Sequence, residues 1–361
     1  MKVAILGAGA GGFSAAAELG ARGHEIYLWN RSPQTIAEVS ASGVIGYDGV
    51  FGTGEIKPAL ITSDISKLVG ICDVALITLP TLLHGQVAGQ LAKAGWGAQR
   101  PVILNPGHTG GALEFLACYR AHAPAPPIAE FSTLTYVARK SSASRVMISG
   151  TAKKVRVACL PEGAKAMESA KALYSSADPA ADVLATSLSN VNMVLHAPGA
   201  VLGAVWVEAT GGDFTFYAQG MTDGVARVMK ALDDERRAVA KAFGHDLPNL
   251  IEEMQRIGTV EPEVTNTNDF KSTISSGKAN SRIKAPDSFA HRYYQEDLGY
   301  GLMPFRAFAR IAGIEVPVAD ALLSLGAAAM GQSLEGKGRS AKTMGIEGLD
   351  RASLNRYVRS V

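Results

Sequence analysis

A histidine in the second half of the chain has neighbours that suit a proton donor. Asn192 and His196 are four residues apart, which places them on one face of a helix. Pro198 disfavours helical geometry at the residue before it and lacks an N–H, so we expect the helix to kink or end just after His196. An imidazole at such a helix end reaches a cavity readily, and imidazole ordinarily titrates near neutral pH, which suits proton transfer to an alkoxide or amine. A core or surface histidine with an ordinary hydrogen bond is the alternative interpretation.

An acidic residue and an arginine further along the chain could complete this site. Gly299 predicts the end of a helix, which puts Asp297 in the last turn, where the helix dipole disfavours a carboxylate by roughly 0.3 to 1 kcal/mol. We therefore expect a compensating partner, and His196 is a candidate, because a carboxylate on one ring nitrogen fixes the tautomer and supports the imidazolium. Arg292 could bind a substrate carboxylate through two hydrogen bonds. Its alternative is a surface ion pair with Glu296, four residues away.

Glycines at the start of the chain predict a dinucleotide site. An apolar run of strand length leads into Gly7, Gly9 and Gly12 with G-x-G-x-x-G spacing, and a small-residue segment of helix length follows. Gly7 permits a tight turn, Gly9 allows close approach to a pyrophosphate, and Gly12 lets the helix pack on the strand. The helix N-terminus offers free N–H groups to the phosphates. A turn in an α/β protein that binds no nucleotide is the alternative.

The residues that follow the second strand and a later strand indicate which dinucleotide binds and where its nicotinamide ring lies. NAD-preferring proteins usually end the second strand with Asp or Glu for the ribose, whereas this chain has Asn30, Arg31 and Ser32. A guanidinium without a nearby carboxylate suits a 2′-phosphate, so NADP(H) is predicted and NAD(H) is left open; a solvated surface arginine is the alternative. Leu79 and Pro80 follow a later strand and are predicted on the nicotinamide side, with an ordinary strand exit as the alternative.

Length and composition indicate a globular protein of two domains. The 361 residues exceed what one core usually serves, and 47% hydrophobic with 19% charged residues are globular values. A formal charge of +2 with no long basic run argues against nucleic acid and membrane surfaces as partners. Three widely spaced cysteines predict neither a disulfide framework nor a metal site. No apolar stretch reaches membrane-spanning length and a strand occupies the N-terminus, so we expect a cytoplasmic protein.

Residues 1–180 carry strand patterns, and residues 181–361 carry helical ones. In the first part a hairpin-like excursion is predicted over 43–57, a buried parallel strand over 73–80, and a second hairpin with strands at 145–149 and 154–160. In the second part apolar periodicity predicts helices over 183–196, 221–243, 247–257, 289–298, 303–312 and 317–330. The expected fold class is α/β, with a Rossmann-like dinucleotide-binding domain followed by an all-α substrate domain.

Taken in order, these motifs resemble the octopine/nopaline (opine) dehydrogenases. The likeness rests on the glycine motif, the N-x-x-x-H-x-P segment from Asn192, the R-Y-x-x-E-D-x-G-x-G-L segment from Arg292, and the tail from Gly338 to Ile346; it covers nearly the whole chain. It implies substrate binding between a Rossmann-like and a helical domain. It also implies His196 as catalytic acid/base with Asp297 as its partner, and Arg292 as a substrate-binding residue; we add Asn192, on the same helix face as His196, as a further candidate for substrate binding.

The reaction implied by this resemblance is the reductive condensation of an amino acid with a 2-oxo acid. An imine forms, and the nicotinamide delivers hydride to its carbon to give an N-(carboxyalkyl) amino acid; the reverse is an oxidative cleavage. The partners are then small molecules, and homodimerisation is left open. One alternative is a ketopantoate-type 2-oxo acid reductase, which typically uses a lysine in the first helices of the second domain, although residues 182–228 contain none. Another is a non-catalytic NADP-binding sensor.

Overall fold

Residues 1–277, 280 and 282–359 are described by the computed structural model, and they divide into two units. Unit 1 contains Met1–Gly107 and Gly111–Val183 together with the end of the C-terminal helix. Unit 2 contains His108–Gly110 and Leu184–Tyr357.

Unit 1 is built on a mostly parallel sheet. The strands of the chain, in order, are β1 (Lys2–Leu6), β2 (Glu25–Trp29), β3 (Ile45–Gly49), β4 (Gly54–Ile56), β5 (Leu60–Thr62), β6 (Val74–Ile77), β7 (Val102–Leu104), β8 (Ile128–Phe131), β9 (Tyr136–Lys140), β10 (Arg145–Thr151), β11 (Val155–Cys159) and β12 (Ala177–Pro179). Eight of them form one sheet in the order β12-β11-β8-β7-β6-β1-β2-β5. The strands from β8 to β5 run parallel, and β11 pairs antiparallel with β8. β1 lies between β2 and β6, at the switch point where ligands bind in such sheets.

A second, four-stranded sheet covers the first helix. The helices of this unit are α1 (Ala10–Ala21), α2 (Ala37–Ser42), α3 (His84–Ala94), α4 (Gly111–Arg120) and α5 (Ala164–Leu173). The small sheet has the order β4-β3-β10-β9, and its strands pack against α1. Because α1 is enclosed on both sides, its small residues Ala15, Ala16 and Ala17 are fully buried, and they share one apolar core with Val146 and Ile148 of β10.

The two predicted hairpins have different outcomes. β3 and β4 pair antiparallel, which confirms the excursion over 43–57. The hairpin over 145–160 is wrong, because β10 pairs with β9 and β3 in the small sheet, whereas β11 pairs with β8 and β12 in the large one. Gly150 and Thr151, which lie between the two segments, favour a turn locally. The burial of β10 against α1 and of β11 beside β8 nevertheless decides the strand partners.

The second half of the chain is helical. Its helices are α6 (Val183–Leu188), α7 (Asn192–Leu202), α8 (Ala204–Thr210), α9 (Asp223–Ala242), α10 (Leu250–Ile257), α11 (Phe270–Ser276), α12 (Arg292–Glu296), α13 (Met303–Ala312), α14 (Pro317–Ala329) and α15 (Arg351–Arg359). A π-helical turn, Asp297–Leu302, joins α12 to α13. Helix α7 is central, because it packs against α9, α12, α14 and this turn.

Two helix ends predicted from proline and glycine are wrong. Pro198 lies inside α7, and the break comes at Gly203, where the segments Val183–Leu202 and Ala204–Thr210 meet at 65°. The buried surroundings of α7 outweigh the single backbone hydrogen bond that proline removes. The chain also continues through Gly299 as the π-helical turn, so Asp297 begins that turn instead of lying in the last turn of a helix.

Among the described residues, no single helix is long and apolar enough to cross a bilayer. Of the helices described, only the bent pair Val183–Leu202 and Ala204–Thr210, taken together, has the length and apolar composition of a membrane span.

Candidate active site

The glycine loop has the geometry that a dinucleotide requires. Gly7 has a φ of 129°, and its N–H donates to the Trp29 carbonyl at 2.9 Å. A Cβ on Gly12 would lie 1.8 Å from the Gly7 carbonyl oxygen, so only glycine allows α1 to approach β1 this closely. A Cβ on Gly9 would meet no atom within 4 Å, which leaves its surface open to a ligand. Because the first turn of α1 has no acidic residue, its N–H groups and dipole are available to a pyrophosphate.

These two glycines give a matched prediction. Gly12→Ala should lower the free energy of unfolding by about 1 to 3 kcal/mol, because the added methyl overlaps the Gly7 carbonyl. Gly9→Ala should leave thermal stability unchanged but weaken NADPH binding about tenfold or more, because the methyl occupies the space that the pyrophosphate needs. Thermal unfolding and fluorescence titration with NADPH measure the two effects. If Gly9→Ala bound NADPH as tightly as the parent, the pyrophosphate would not lie over Gly9.

The exit of β6 lies beside the glycine loop. The Thr78 hydroxyl donates to the carbonyls of Leu6 and Gly7, both at 3.3 Å. A Leu79 methyl lies 3.2 Å from the position that a Cβ on Gly7 would occupy. The exposed Pro80 follows. Leu79 thus lies at the dinucleotide loop, and its contact with the nicotinamide stays a prediction.

The residues after β2 present a cation at the same end of the sheet. The Asn30 amide oxygen accepts from the Ala8 N–H at 3.2 Å, and its amide nitrogen donates to the Ser32 carbonyl, also at 3.2 Å. Arg31 is exposed, and its Nη1 donates to Oε1 of Gln86 on α3 at 2.6 Å. Among the described residues no carboxylate pairs with Arg31. The guanidinium is therefore held in place while its charge stays uncompensated.

In unit 2 the predicted contact between His196 and Asp297 is present. Nδ1 of His196 lies 2.8 Å from Oδ2 of Asp297, and both side chains are buried. Helix α7 positions the imidazole, and the π-helical turn positions the carboxylate. The carboxylate accepts a hydrogen bond from Nδ1–H of His196, which leaves Nε2 for proton exchange. Nε2 has no partner within the described part of the chain.

An aromatic frame fixes the plane of the imidazole. The Tyr293 ring stacks on His196 with centroids 3.9 Å apart and planes 20° from parallel. The hydroxyls of Tyr293 and Tyr217 are 3.3 Å apart, and both tyrosines are buried. Stacking on one face and a carboxylate on one edge leave the ring little rotational freedom. The direction in which Nε2 points is therefore set before any substrate binds.

Asn192 lies on the helix that carries His196, and Arg292 lies on α12, which leads into the π-helical turn of Asp297. Arg292 opens α12, is exposed, and has its guanidinium carbon 5.6 Å from the centroid of the Tyr293 ring. The ion pair with Glu296 does not form, and no described residue forms a hydrogen bond or ion pair with the Arg292 guanidinium. Asn192 opens α7, one helical turn before His196, and its half-buried amide also lacks a described partner. Both groups are thus available to a ligand.

Two further titratable residues in this neighbourhood were missed by the sequence reasoning. Burial lowers the pKa of His108 to about 4, and the charges acting on it include those of Asp297 and Arg292. Burial, followed by the charge of Asp297, raises the pKa of Glu296 to about 7. A neutral imidazole and a carboxyl that is half protonated near neutral pH therefore lie near the His196 pair. The only local signal for His108 was its place shortly after the short apolar run 102–104.

The tail motif supports the turn that carries the carboxylate. The Arg339 N–H donates to the Gly299 carbonyl at 2.8 Å, and its buried guanidinium donates to the Thr109 carbonyl at 2.6 Å. A Cβ on Gly338 would lie 2.4 Å from the Gly299 oxygen, so glycine is required there. The tail thus holds the π-helical turn in position.

Within the described ranges, no group of three or more His, Cys, Asp and Glu side chains could hold a metal ion. The glycine loop, by contrast, fits a nicotinamide dinucleotide, because its open surface over Gly9 adjoins a helix N-terminus without acidic residues. A parallel sheet with this loop, together with a helical unit that contains a buried His–Asp pair, defines an NAD(P)-dependent oxidoreductase.

Comparisons with known proteins identify the family. The model "NAD/NADP octopine/nopaline dehydrogenase, alpha-helical domain" matches residues 179–330, and the model "Ketopantoate reductase PanE/ApbA" matches residues 3–104. An opine dehydrogenase of Arthrobacter sp. (strain 1C) is 32% identical over 358 residues, which cover 98% of each chain. The chain belongs to the opine dehydrogenase family, whose enzymes act on CH–NH groups with a nicotinamide cofactor.

Solved structures show the same fold. An octopine dehydrogenase with NADH and L-arginine matches with a TM-score of 0.77 at 18% identity, over 100% of this chain and 98% of that one. A yersinopine dehydrogenase with NADP⁺ matches with a TM-score of 0.74 at 15% identity, over 99% of this chain and 98% of that one. The fold therefore occurs with either dinucleotide bound.

Proposed function

We propose that this protein reduces the imine formed between an amino acid and a 2-oxo acid, with NADPH as the preferred reductant. The contact between Nδ1 of His196 and Oδ2 of Asp297 at 2.8 Å carries the proposal, because it provides an oriented acid/base beside unpaired polar groups. Condensation releases water, and bound NADPH supplies the hydride that turns the imine carbon into the CH–NH centre of the product. The net reaction also consumes one proton.

Residues of the chain transfer the proton and bind the charged groups of the substrate. His196 as imidazolium donates from Nε2 when the carbonyl oxygen leaves as water, and Asp297 stabilises the positive charge that precedes this transfer. In the oxidative direction neutral Nε2 takes the proton back. The Arg292 guanidinium binds a substrate carboxylate, and the Asn192 amide supplies a further hydrogen bond one turn from the imidazole. Because we propose NADPH as the reductant, the direction that we propose is the reductive one.

The preference for NADPH rests on Arg31. Arg31→Ala should raise the Kd for NADPH about 10- to 100-fold, because hydrogen bonds to a charged phosphate are lost, while the Kd for NADH should stay within about threefold. Titration of nicotinamide fluorescence with each cofactor measures both constants. Arg120→Ala, an exposed arginine at the end of α4, is the charge-matched control. Equal weakening of the two cofactors would show that Arg31 does not bind the 2′-phosphate.

The reaction itself is tested with a substrate matrix. Amino acids are combined with pyruvate, 2-oxoglutarate and glyoxylate, and NADPH oxidation is followed. Oxidation that requires both an amino acid and an oxo acid supports the proposal. The match of residues 3–104 to ketopantoate reductases keeps a 2-oxo acid reductase as the second candidate, and oxidation with an oxo acid alone would favour it. Tight NADPH binding without turnover of any pair would indicate a sensor.

A further inference from the structure

Lys140 lies at the glycine loop, although it belongs to no motif in the sequence. It is the last residue of β9, and its Nζ donates to the Ala143 carbonyl at 2.8 Å and to the Ala8 carbonyl at 3.4 Å. The same ammonium lies 4.3 Å from the centroid of the Phe13 ring, in the first turn of α1. Ala8 is the middle residue of G-x-G. The small sheet thus places a cation near the N-terminus of α1, the end of the helix where a dinucleotide pyrophosphate is expected to bind.

The charge of Lys140 has no direct ionic partner in the part of the chain that the structure describes. No carboxylate in the described ranges forms an ion pair with Lys140, and both of its hydrogen-bond acceptors are neutral carbonyls. Glu38 acts on it only at a distance, and the Glu38 carboxylate accepts a hydrogen bond from Ser144 at 3.1 Å. Burial lowers the pKa of Lys140. A cation near a helix N-terminus is also opposed by the helix dipole. An ammonium has three donors, so one remains for an anion.

We propose that Lys140 binds a phosphate group of the nicotinamide dinucleotide, as a counter-charge that works together with the N–H groups of α1. The pyrophosphate is the expected group, because Ala8 and Phe13, the two α1-side neighbours of the ammonium, flank the N-terminus of that helix. An anion placed there pairs with the half-buried ammonium, and it also interacts favourably with the N-terminal end of the helix dipole, which otherwise opposes the ammonium.

The neighbouring residue on the same strand provides a matched control. Successive side chains of a strand point to opposite faces, and Arg139 is exposed while Lys140 packs on Phe13. Replacing either residue with methionine removes one positive charge and retains a long apolar stem. A difference between the two variants therefore reports the position of the charge rather than the net charge.

The test compares Lys140→Met with Arg139→Met in titrations with NADPH and with NADH. Lys140→Met should raise the Kd for both cofactors about 10- to 100-fold, whereas Arg139→Met should leave both within about twofold. The Kd should also rise less steeply with ionic strength in Lys140→Met than in the parent. Loss for both cofactors assigns the contact to the pyrophosphate, and loss for NADPH alone assigns it to the 2′-phosphate; either result supports a phosphate contact.

Unchanged affinity for both cofactors in a folded Lys140→Met would overturn the proposal and leave Lys140 as a residue that closes the turn at Ala143. Thermal unfolding checks that the variant is folded. If it is not, Lys140→Arg keeps the charge and Lys140→Gln keeps only a hydrogen-bonding end. The arginine variant should then bind both cofactors within about threefold of the parent, and the glutamine variant should show the loss described above. Equal affinity in these two would also overturn the proposal.

Discussion

His196→Ala should lower kcat for the reductive condensation about 10²- to 10⁴-fold, the usual scale for loss of a general acid. The Kd for NADPH should stay nearly unchanged, because we expect the dinucleotide phosphates to bind at the glycine loop. His196→Gln fills more of the space beside Tyr293 but cannot form an imidazolium, so it should show the same loss. Steady-state kinetics with saturating substrates and a separate NADPH titration measure the two quantities.

The control for this prediction is His122→Ala, which removes an exposed histidine of unit 1 and should leave kcat unchanged. A kcat within twofold of the parent would show that His196 is not the acid.

Asp297→Asn should lower kcat about 10²- to 10⁴-fold, although the new side chain has nearly the same size. The amide carries no negative charge, so it stabilises the imidazolium of His196 far less than the carboxylate that lies 2.8 Å from Nδ1. Steady-state kinetics with saturating substrates measure kcat, and a separate NADPH titration checks that the cofactor still binds.

The control is Asp234→Asn on α9, an exposed carboxylate paired with surface cations, which should leave kcat unchanged. The KM for the oxo acid should change little in Asp297→Asn, since Arg292 is expected to bind its carboxylate. A kcat within twofold of the parent in Asp297→Asn would show that this carboxylate does not support His196 in catalysis.

Local patterns predicted the elements better than their partners. The glycine spacing after β1 identified a dinucleotide fold, because a tight turn and close helix packing admit only glycine at Gly7 and Gly12. Apolar periodicity located most of the long helices, because each of them buries one face. The pairing of β10 with β3 could not be read in this way. It depends on a core shared with α1, and no turn residue encodes that core.

In the candidate site, too, the residues were predicted from the sequence but part of their structural setting was not. His196 and Asp297 were predicted as partners, and the contact joins residues 101 positions apart. The reason given for it, a carboxylate in the last turn of a helix, was wrong, because the chain continues through Gly299 as a π-helical turn. The tail at Gly338 holds that turn, and this long-range contact leaves no signature near Asp297.

The amino-acid sequence by itself determined the fold class, the dinucleotide loop and the identity of the acid/base candidate, because each depends on residue types at short spacing. Only the tertiary structure decided which groups surround them. Tyr293 stacks on the imidazole, Arg292 has no hydrogen-bond or ion-pair partner among the described residues, and Lys140 reaches Ala8 across 132 positions. Such contacts follow from the packing of strands and helices that are distant along the chain, and packing is a property of the whole core.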